Sequence, residues 1–373
     1  DEVRGFLERE WGPPDPVAGR DKCDRSRERE FRKKVAKKGW LTIGWPKEWG
    51  GTDLTLMERY ILSQEMNRHG APISLYNVIV LGPLLIKYAT EEAKNEFLPK
   101  MQEGQIDFVL GFTEPETGSD LANLSTKAVR HGDGYIVNGQ KLYGHPQTDD
   151  VMFLAVRTDP DAPIRRGISI LLVDATSEGL TITHNKTLAG QEVGATYYDN
   201  VFVPKSRLLG EENRGWDYVR ETMDLDRAGG IPYAHFSVVF EGLVEYAKNT
   251  RVDGRALADE PWVRERIGQL AVELEGAELL QDMTASKIAA GEKLRMEASI
   301  VKAFCTEFES RLAAFGHDLF GPMAMLTPQE GVDNFLGAVN FLRRLNVAMT
   351  IVGGTNEIQR NIIALQGLGL PRE

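Results

Sequence analysis

A chain of 373 residues exceeds what one simple core organises and predicts two or three domains. Its apolar content of 42% and charged content of 27% are those of a globular enzyme, and its net charge of −11 opposes nucleic-acid binding, which needs basic patches to replace counterions. No apolar run reaches the roughly 20 residues of a membrane span, so no membrane span is expected.

The opening residues, DEVRGFLEREWGPP, are charged and amphipathic, unlike a secretory leader. Residues 1–105 read as helical: FRKKVAKKGW and LMERYILSQEMNRHG carry apolar residues three and four apart. GWPKEWGG (44–51) is a turn cluster, and EEAKNEFLPKMQEG (91–104) is an amphipathic helix closing at Gly104. The period then changes. Residues 106–205 hold short β-rich runs, namely IDFVLGF, YIVNGQKLY, VMFLAVRTD, GISILLVDA, LTITHN and YYDNVFVP. Gly132-Asp133-Gly134 and Asn138-Gly139 are the turn signals among them. From Trp216 onward the pattern is helical again, with LVEYAKNTRVDGRAL (243–257) assigned to a long helix and GRALADEP (254–261) to an exposed loop. Helices, strands, then helices define an α+β class with segregated elements.

Generic motifs are absent. There is no GxGxxG, no GxxxxGK[ST] and no GxSxG, and six histidines lie without metal-ligand spacing, so no metal site is expected. Cys23 and Cys305 are far apart, which argues against a disulfide and for a reducing cytoplasm. Three longer strings say more: GFTEPETGSDLANL (111–124), the 243–257 segment, and GGTNEIQRNIIALQGLGLPRE at the end. With GWPKEWGG and NGQK, they make the chain resemble the acyl-CoA dehydrogenase family of flavoproteins over nearly its whole length. The resemblance implies an N-terminal helical domain (1–107), a middle β-barrel-like domain (108–208) and a C-terminal four-helix bundle (209–373). It also implies bound FAD, an acyl-CoA substrate, a homo- or hetero-oligomer, and electron transfer to an electron-transfer flavoprotein.

The resemblance assigns roles by position. Phe112, Thr113, Gly118 and Ser119 form a loop against the flavin, with Ser119 also touching CoA. Taken alone, that string reads equally as a turn capped by Thr and Ser. Gly354, Thr355, Asn356 and Glu357 form a helix start beside the flavin; plain capping explains them too. Asp318 matches a position near the adenosine, or is a solvated helix residue. Asp224 and Arg227 match CoA contacts. Many family members carry a glutamate base where this chain has Gly353. A glycine has no carboxylate, but its backbone N–H still serves an oxyanion role. A second family base position, on the first helix of the C-terminal domain, holds Asp226 here, one methylene shorter than the usual glutamate. Tyr143, Gly144 and His145 stand where the family places an aromatic ring and a hydroxyl against the flavin. Thr250 and Asp253 replace an arginine and a phenylalanine that reach FAD across a dimer, so that grip is weaker or is made by other residues, Arg251 or Arg255 being candidates. Ala228, Gly229 and Gly230 leave room for a branched, cyclic or bulky acyl group, or serve close helix packing. Three readings stand: an acyl-CoA dehydrogenase, a catalytically incomplete subunit of a hetero-oligomeric one, and an oxygen-using flavin hydroxylase, against which the residues at 119, 224 and 227 weigh.

Overall fold

The computed structural model describes residues 1–14, 25–72, 77–144, 150–229, 234–294, 296–326 and 334–371. Helices α1 (Glu2–Glu10), α2 (Arg25–Lys37), α3 (Leu56–Arg68), α4 (Gly82–Tyr88) and α5 (Glu91–Gln102) come first. The strands follow: β1 (Phe108–Gly111), β2 (Lys127–His131), β3 (Gly134–Gly144), β4 (Val151–Arg157), β5 (Ile168–Asp174), β6 (Leu180–Lys186), β7 (Glu192–Pro204) and β8 (Leu208–Leu209). Next come α6 (Gly215–Gly229), α7 (Ala234–Asn249), a hairpin of β9 (Arg251–Val252) and β10 (Arg255–Ala256), then α8 (Pro261–Ala289), α9 (Glu297–Phe320), α10 (Asn334–Met349) and α11 (Asn356–Ile362). The fold is α+β, with helical regions before and after a sheet. Among the described residues no helix is long and apolar enough to cross a membrane.

The chain condenses into two compact units: Asp1–Phe31, Thr55–Ile73 and Arg227–Glu373 form one, and Arg32–Leu54 with Ser74–Asp226 form the other. The second, the sheet unit, has strand order β6-β7-β3-β2-β4-β5-β8, with β1 parallel to β4. β4 and β5 are apolar on both faces because both are covered. Val151, Phe153, Ala155, Ile170 and Leu172 pack on Leu84, Leu85, Phe97 and Leu98 of α4 and α5. Met152, Leu154, Val156, Leu171 and Val173 pack on Tyr135, Val137, Tyr198 and Val201 of β3 and β7. Thr90 opens α5 by accepting from Ala93 N, and Gly104 follows it at φ +68.

In the first, helical unit, α9 is buried on nearly all sides. Its core is partly polar: His235 Nε2 of α7 lies 2.9 Å from Glu309 Oε1 of α9, both side chains buried.

Three local assignments differ from the sequence reading. Gly132-Asp133 does turn β2 into β3, with His131 opposite Gly134, but Asn138-Gly139 is no turn. It runs on within β3, opposite a bulge whose extra residue lies on β7 at Asp199-Asn200 (Asn200 φ +54), and Gly139 (φ +152) lies so close to Thr126 that a Cβ would sit 2.8 Å from its Cα. β2 was not foreseen, since only Ala128 of its five residues is buried and no alternation shows. The stretch 243–257 is not one helix. α7 ends at Asn249, and Asp253 (φ +50) with Gly254 (φ +81) makes the tight turn of the β9–β10 hairpin. Two consecutive positive φ values are what an Asp-Gly hairpin turn supplies. Gly254→Ala should therefore destabilise the helical unit by about 1 kcal/mol, the strain of a left-handed residue bearing a Cβ. Thermal melting beside wild type checks this, and Asp253→Asn, which tolerates the same φ, should melt as wild type does.

Candidate functional site

In the sheet unit, the loop after β1 is organised from beneath. Phe112 is buried edge-on against Phe153, with ring centroids 6.0 Å apart. Thr113 O accepts from Leu142 N at 2.8 Å, which ties the loop to β3. Glu114 and Thr117 exchange backbone hydrogen bonds of 3.0 and 3.2 Å across a tight turn. The Glu114 carboxylate, 3% exposed, accepts from Ser125 N (2.6 Å), Ser125 Oγ (2.7 Å), Thr126 N (2.9 Å) and Lys141 Nζ (2.8 Å). Lys141 Nζ, equally buried, also donates to Phe112 O at 3.1 Å.

The electrostatics of this pair nearly cancel. Burial pushes the Glu114 carboxyl up, but the Lys141 charge and the donors from Lys141, Thr126 and Ser125 outweigh it and bring it to about 2. Burial pulls the Lys141 ammonium down to about 8 against the opposing pull of Glu114. At neutral pH the first departure favours the fold and the second opposes it. The pair therefore adds little net stability, as buried ion pairs often do. What it fixes is loop geometry: Phe112 O, Glu114 and the Ser125–Thr126 backbone are tied to one point on β3.

Above this base the loop is open to a ligand. Thr117 Oγ1 is buried with no hydrogen-bond partner. A Cβ on Gly118 would meet nothing within 4 Å and no positive φ is required there, so its own unit gives no reason for glycine at this position. Thr113 is half-buried and Ser119 exposed. Tyr143 lies two residues after Lys141, and in a regular strand the two would share a face. A bulge between Leu142 and Gly144 and a φ of +67 at Tyr143 break that register, leaving Tyr143 70% exposed. Gly144 is close-packed against Gly194, whose Cβ would meet Gly144 O at 2.5 Å. An orphaned hydroxyl, room for close backbone approach and a strained, exposed aromatic fit a planar cofactor with hydrogen-bonding edges.

In the helical unit, α10 ends at Met349 and α11 begins at Asn356. Between them Gly353 (φ +70) and Gly354 (φ +89) are left-handed. Thr355 caps α11 by accepting from Ile358 N at 3.2 Å. The Asn356 side chain is spent internally: Oδ1 accepts from Lys302 Nζ (2.7 Å), and Nδ2 donates to Thr306 Oγ1 (3.2 Å) and Glu307 Oε1 (3.1 Å). What Asn356 offers is placement of the helix start. Glu357 is exposed, and its carboxyl is lowered first by its own backbone N–H and then by Thr355. The amides of Gly353, Gly354 and Thr355 donate to no acceptor among the described residues.

The structure brings Phe112–Ser119 together with Tyr143 and Gly144, and holds Gly353–Glu357 as a second cluster. Asp318 stays apart from that cluster. It is exposed on α9, 11 residues beyond Glu307, roughly 17 Å along the axis. Asp224, Asp226 and Arg227 lie on α6, whose helical backbone reaches Gly229. His145 lies outside the described residues. Thr250 follows α7, and Asp253 sits at the hairpin tip. Glu114, Lys141, Lys302 and Gln359 escaped the sequence reading. For Lys141 a signal existed, since it falls on the inward register of β3 with Tyr135 and Val137.

The sheet unit carries a hydroxyl- and glycine-rich loop, and the helical unit a glycine turn with free amides. The chain matches the families described as acyl-CoA dehydrogenase N-terminal domain (residues 1–105), middle domain (109–201) and C-terminal domain (213–368). It is 36% identical to "Acyl-CoA dehydrogenase FadE26" of Mycobacterium tuberculosis (strain ATCC 25618 / H37Rv), over 92% of this chain and 88% of that protein. "Acyl-CoA dehydrogenase FadE29" of the same organism is 34% identical over 91% and 88%. Among solved structures, "Tcur3481-Tcur3483 steroid ACAD" aligns with a TM-score of 0.91 at 33% identity, covering all of this chain and 96% of that one. The ChsE4-ChsE5 complex from Mycobacterium tuberculosis aligns with a TM-score of 0.88 at 34% identity, with the same coverage. The chain belongs to the acyl-CoA dehydrogenase family; it is an oxidoreductase, and its cofactor is FAD.

Removing one member of the buried pair should cost far more than the pair contributes. Glu114→Gln strands the Lys141 charge with Phe112 O as its remaining partner above and should cost about 3–5 kcal/mol, with loss of FAD retention. Lys141→Met leaves Glu114 three donors and should cost less. The Glu114 carboxyl is lowered in the fold, so its stabilisation is complete above its unfolded value of 4.5 and is lost as pH falls towards about 2. Acid melting curves of wild type and the Glu114→Gln/Lys141→Met double variant should lie close together near neutral pH and separate across that window, wild type falling faster; parallel curves would remove this pair from the acid response.

Proposed function

We propose that this protein desaturates the CoA thioester of a bulky, ring-bearing acid between its α- and β-carbons. The observation that carries the reading is the Gly353–Gly354 turn: it has free amides and no carboxylate, while Asp226 supplies one on α6. Asp226 takes the α-proton onto its carboxylate. The Gly353 N–H donates to the thioester oxygen as negative charge gathers there, an interaction stronger in the transition state than in the bound substrate. FAD, when bound, supplies the acceptor for the hydride leaving the β-carbon. Thr113, Thr117, Gly118 and Tyr143 would hold it, as would Gly354 and Thr355 by the family's pattern. Ser119, Asp224 and Arg227 take the CoA portion, and an electron-transfer flavoprotein accepts the electrons.

The bulky acyl group is supported by the likeness to a steroid acyl-CoA dehydrogenase and by the small residues Ala228, Gly229 and Gly230 after the base. Location in the cytoplasm rests on the two cysteines, Cys23 and Cys305, being too far apart in sequence to suggest a disulfide.

Asp226→Asn keeps the shape of the base and removes its basicity. Cholanoyl-CoA, a steroid with a short carboxylated side chain, should still bind the variant, but its bleaching of the flavin should slow by at least about 10²–10⁴-fold, the usual contribution of a general base. Asp226→Glu should remain active. Bleaching of the Asn variant at the wild-type rate sinks the assignment.

A second reading is favoured by the hairpin at 251–256. Its tip carries Asp253 where the family reaches FAD across a dimer, and two similar structures are two-chain complexes. On this reading the chain works paired with a different chain of the same fold. Native mass spectrometry should then find fewer than one FAD per chain in a mixed oligomer. One FAD per chain in a homo-oligomer excludes it.

A further inference from the structure

The Gly353–Gly354 turn has no side chains of its own, so its shape is imposed by neighbours. Gln359, on the first turns of α11, is fully buried. Its Nε2 donates to Gly354 O at 2.9 Å and to Gly353 O at 3.3 Å. The peptide unit is planar and trans, so a carbonyl held inward turns the next N–H outward. Fixing Gly353 O orients the Gly354 N–H, and fixing Gly354 O orients the Thr355 N–H. The Gly353 N–H lies in the peptide plane between that of Gly353 O and that of the Val352 N–H, which donates to Ala348 O at 3.0 Å, so it is restrained from both sides only while Gln359 holds Gly353 O.

The other edge of the turn is anchored separately. Lys302 Nζ, buried on α9, donates to Thr350 O at 3.0 Å and to Asn356 Oδ1 at 2.7 Å. Asn356 N donates to the same Thr350 O at 2.9 Å. The loop from Thr350 to Asn356 is thus closed at its base, and Gln359 sets the peptide planes within it. Left-handed glycine has a broad conformational range. Without the carboxamide the two carbonyls lose their shared donor and the planes are free to rotate.

We propose that Gln359 is a positioning residue for the reaction: its carboxamide holds the amide donors of the Gly353–Thr355 turn in the orientation that the thioester oxygen needs. The inference rests on the acyl-CoA dehydrogenase reading above and names the residue through which that donor site keeps its shape. Gln359 touches neither substrate nor flavin in this role. It acts through the backbone of Gly353 and Gly354.

The test is Gln359→Met, which keeps length and bulk but removes the donor, assayed in the FAD-loaded protein with cholanoyl-CoA. A donor array that acts mainly in the transition state predicts a kcat lowered by about 10- to 100-fold with KM within about threefold of wild type. The second readout is the infrared carbonyl stretch of bound, carbon-13-labelled α,α-dimethylcholanoyl-CoA, which has no α-proton to lose. Its shift to lower frequency on binding wild type should shrink in the variant. If Gln359→Met does not fold, Gly354→Ala probes the same contact from the opposite side, since its Cβ would lie 2.7 Å from Gln359 Nε2 at φ +89; the same kcat loss is expected. Unchanged kcat and carbonyl frequency, or a rate loss that only tracks lost FAD, overturns the assignment. Wild type that binds neither FAD nor cholanoyl-CoA overturns the underlying reading, and the Gln359 role with it.

Discussion

The buried pair of Glu114 and Lys141 is the constraint on which the candidate loop of the sheet unit depends. It is a poor source of stability, because the two ionisations are displaced in opposite senses by similar amounts. It is a strong source of geometry. Lys141 reaches both Phe112 O and the Glu114 carboxylate, and Glu114 in turn holds the Ser125 and Thr126 amides. A loop that must leave Thr117 Oγ1 unpaired and Gly118 open cannot be shaped by contacts on its ligand side. Its shape has to come from below, and a charge pair with four donors supplies directional restraint that apolar packing would not.

β3 couples this restraint to the exposed aromatic. Lys141 is locked inward, Leu142 N bonds the loop at Thr113 O, and the bulge then turns Tyr143 out. A non-glycine residue at φ +67 costs of order 1–2 kcal/mol. That strain is tolerated because the residues on either side are fixed, by the ion pair before it and by Gly144 against Gly194 after it.

Much of the fold was legible because its periodicities are strong. β4 and β5 are continuous apolar runs and the Thr90 and Gly104 signals bracket α5. Failures came where a local signal had two uses. Asn138-Gly139 carries turn chemistry, but the same freedom lets the strand continue where Thr126 presses on the backbone. Asp253-Gly254 carries it too, yet the apolar spacing of α7 seemed to run on past Asn249. In the site, glycines and hydroxyls were conspicuous, whereas Glu114, Lys141, Lys302 and Gln359 look like ordinary surface residues in a one-dimensional string. A buried ion pair separated by 26 intervening residues leaves no pattern until tertiary structure brings it together.

The glycine at 353 then has a physical meaning beyond the loss of a carboxylate. At φ +70 any other L-residue carries left-handed strain. A side chain there would couple the orientation of the donor amide to its own packing. With glycine at both 353 and 354, the turn can be set wholly from beneath, by Lys302 at its base and Gln359 within it. The candidate cluster in each unit thus follows the same design: its exposed surface is backbone, hydroxyl or an exposed ring, and a buried amine or carboxamide donating to main-chain carbonyls holds it in place. The proposed base on α6 is compatible with that design, because a proton acceptor on a helix does not depend on a turn that must also keep its amides free.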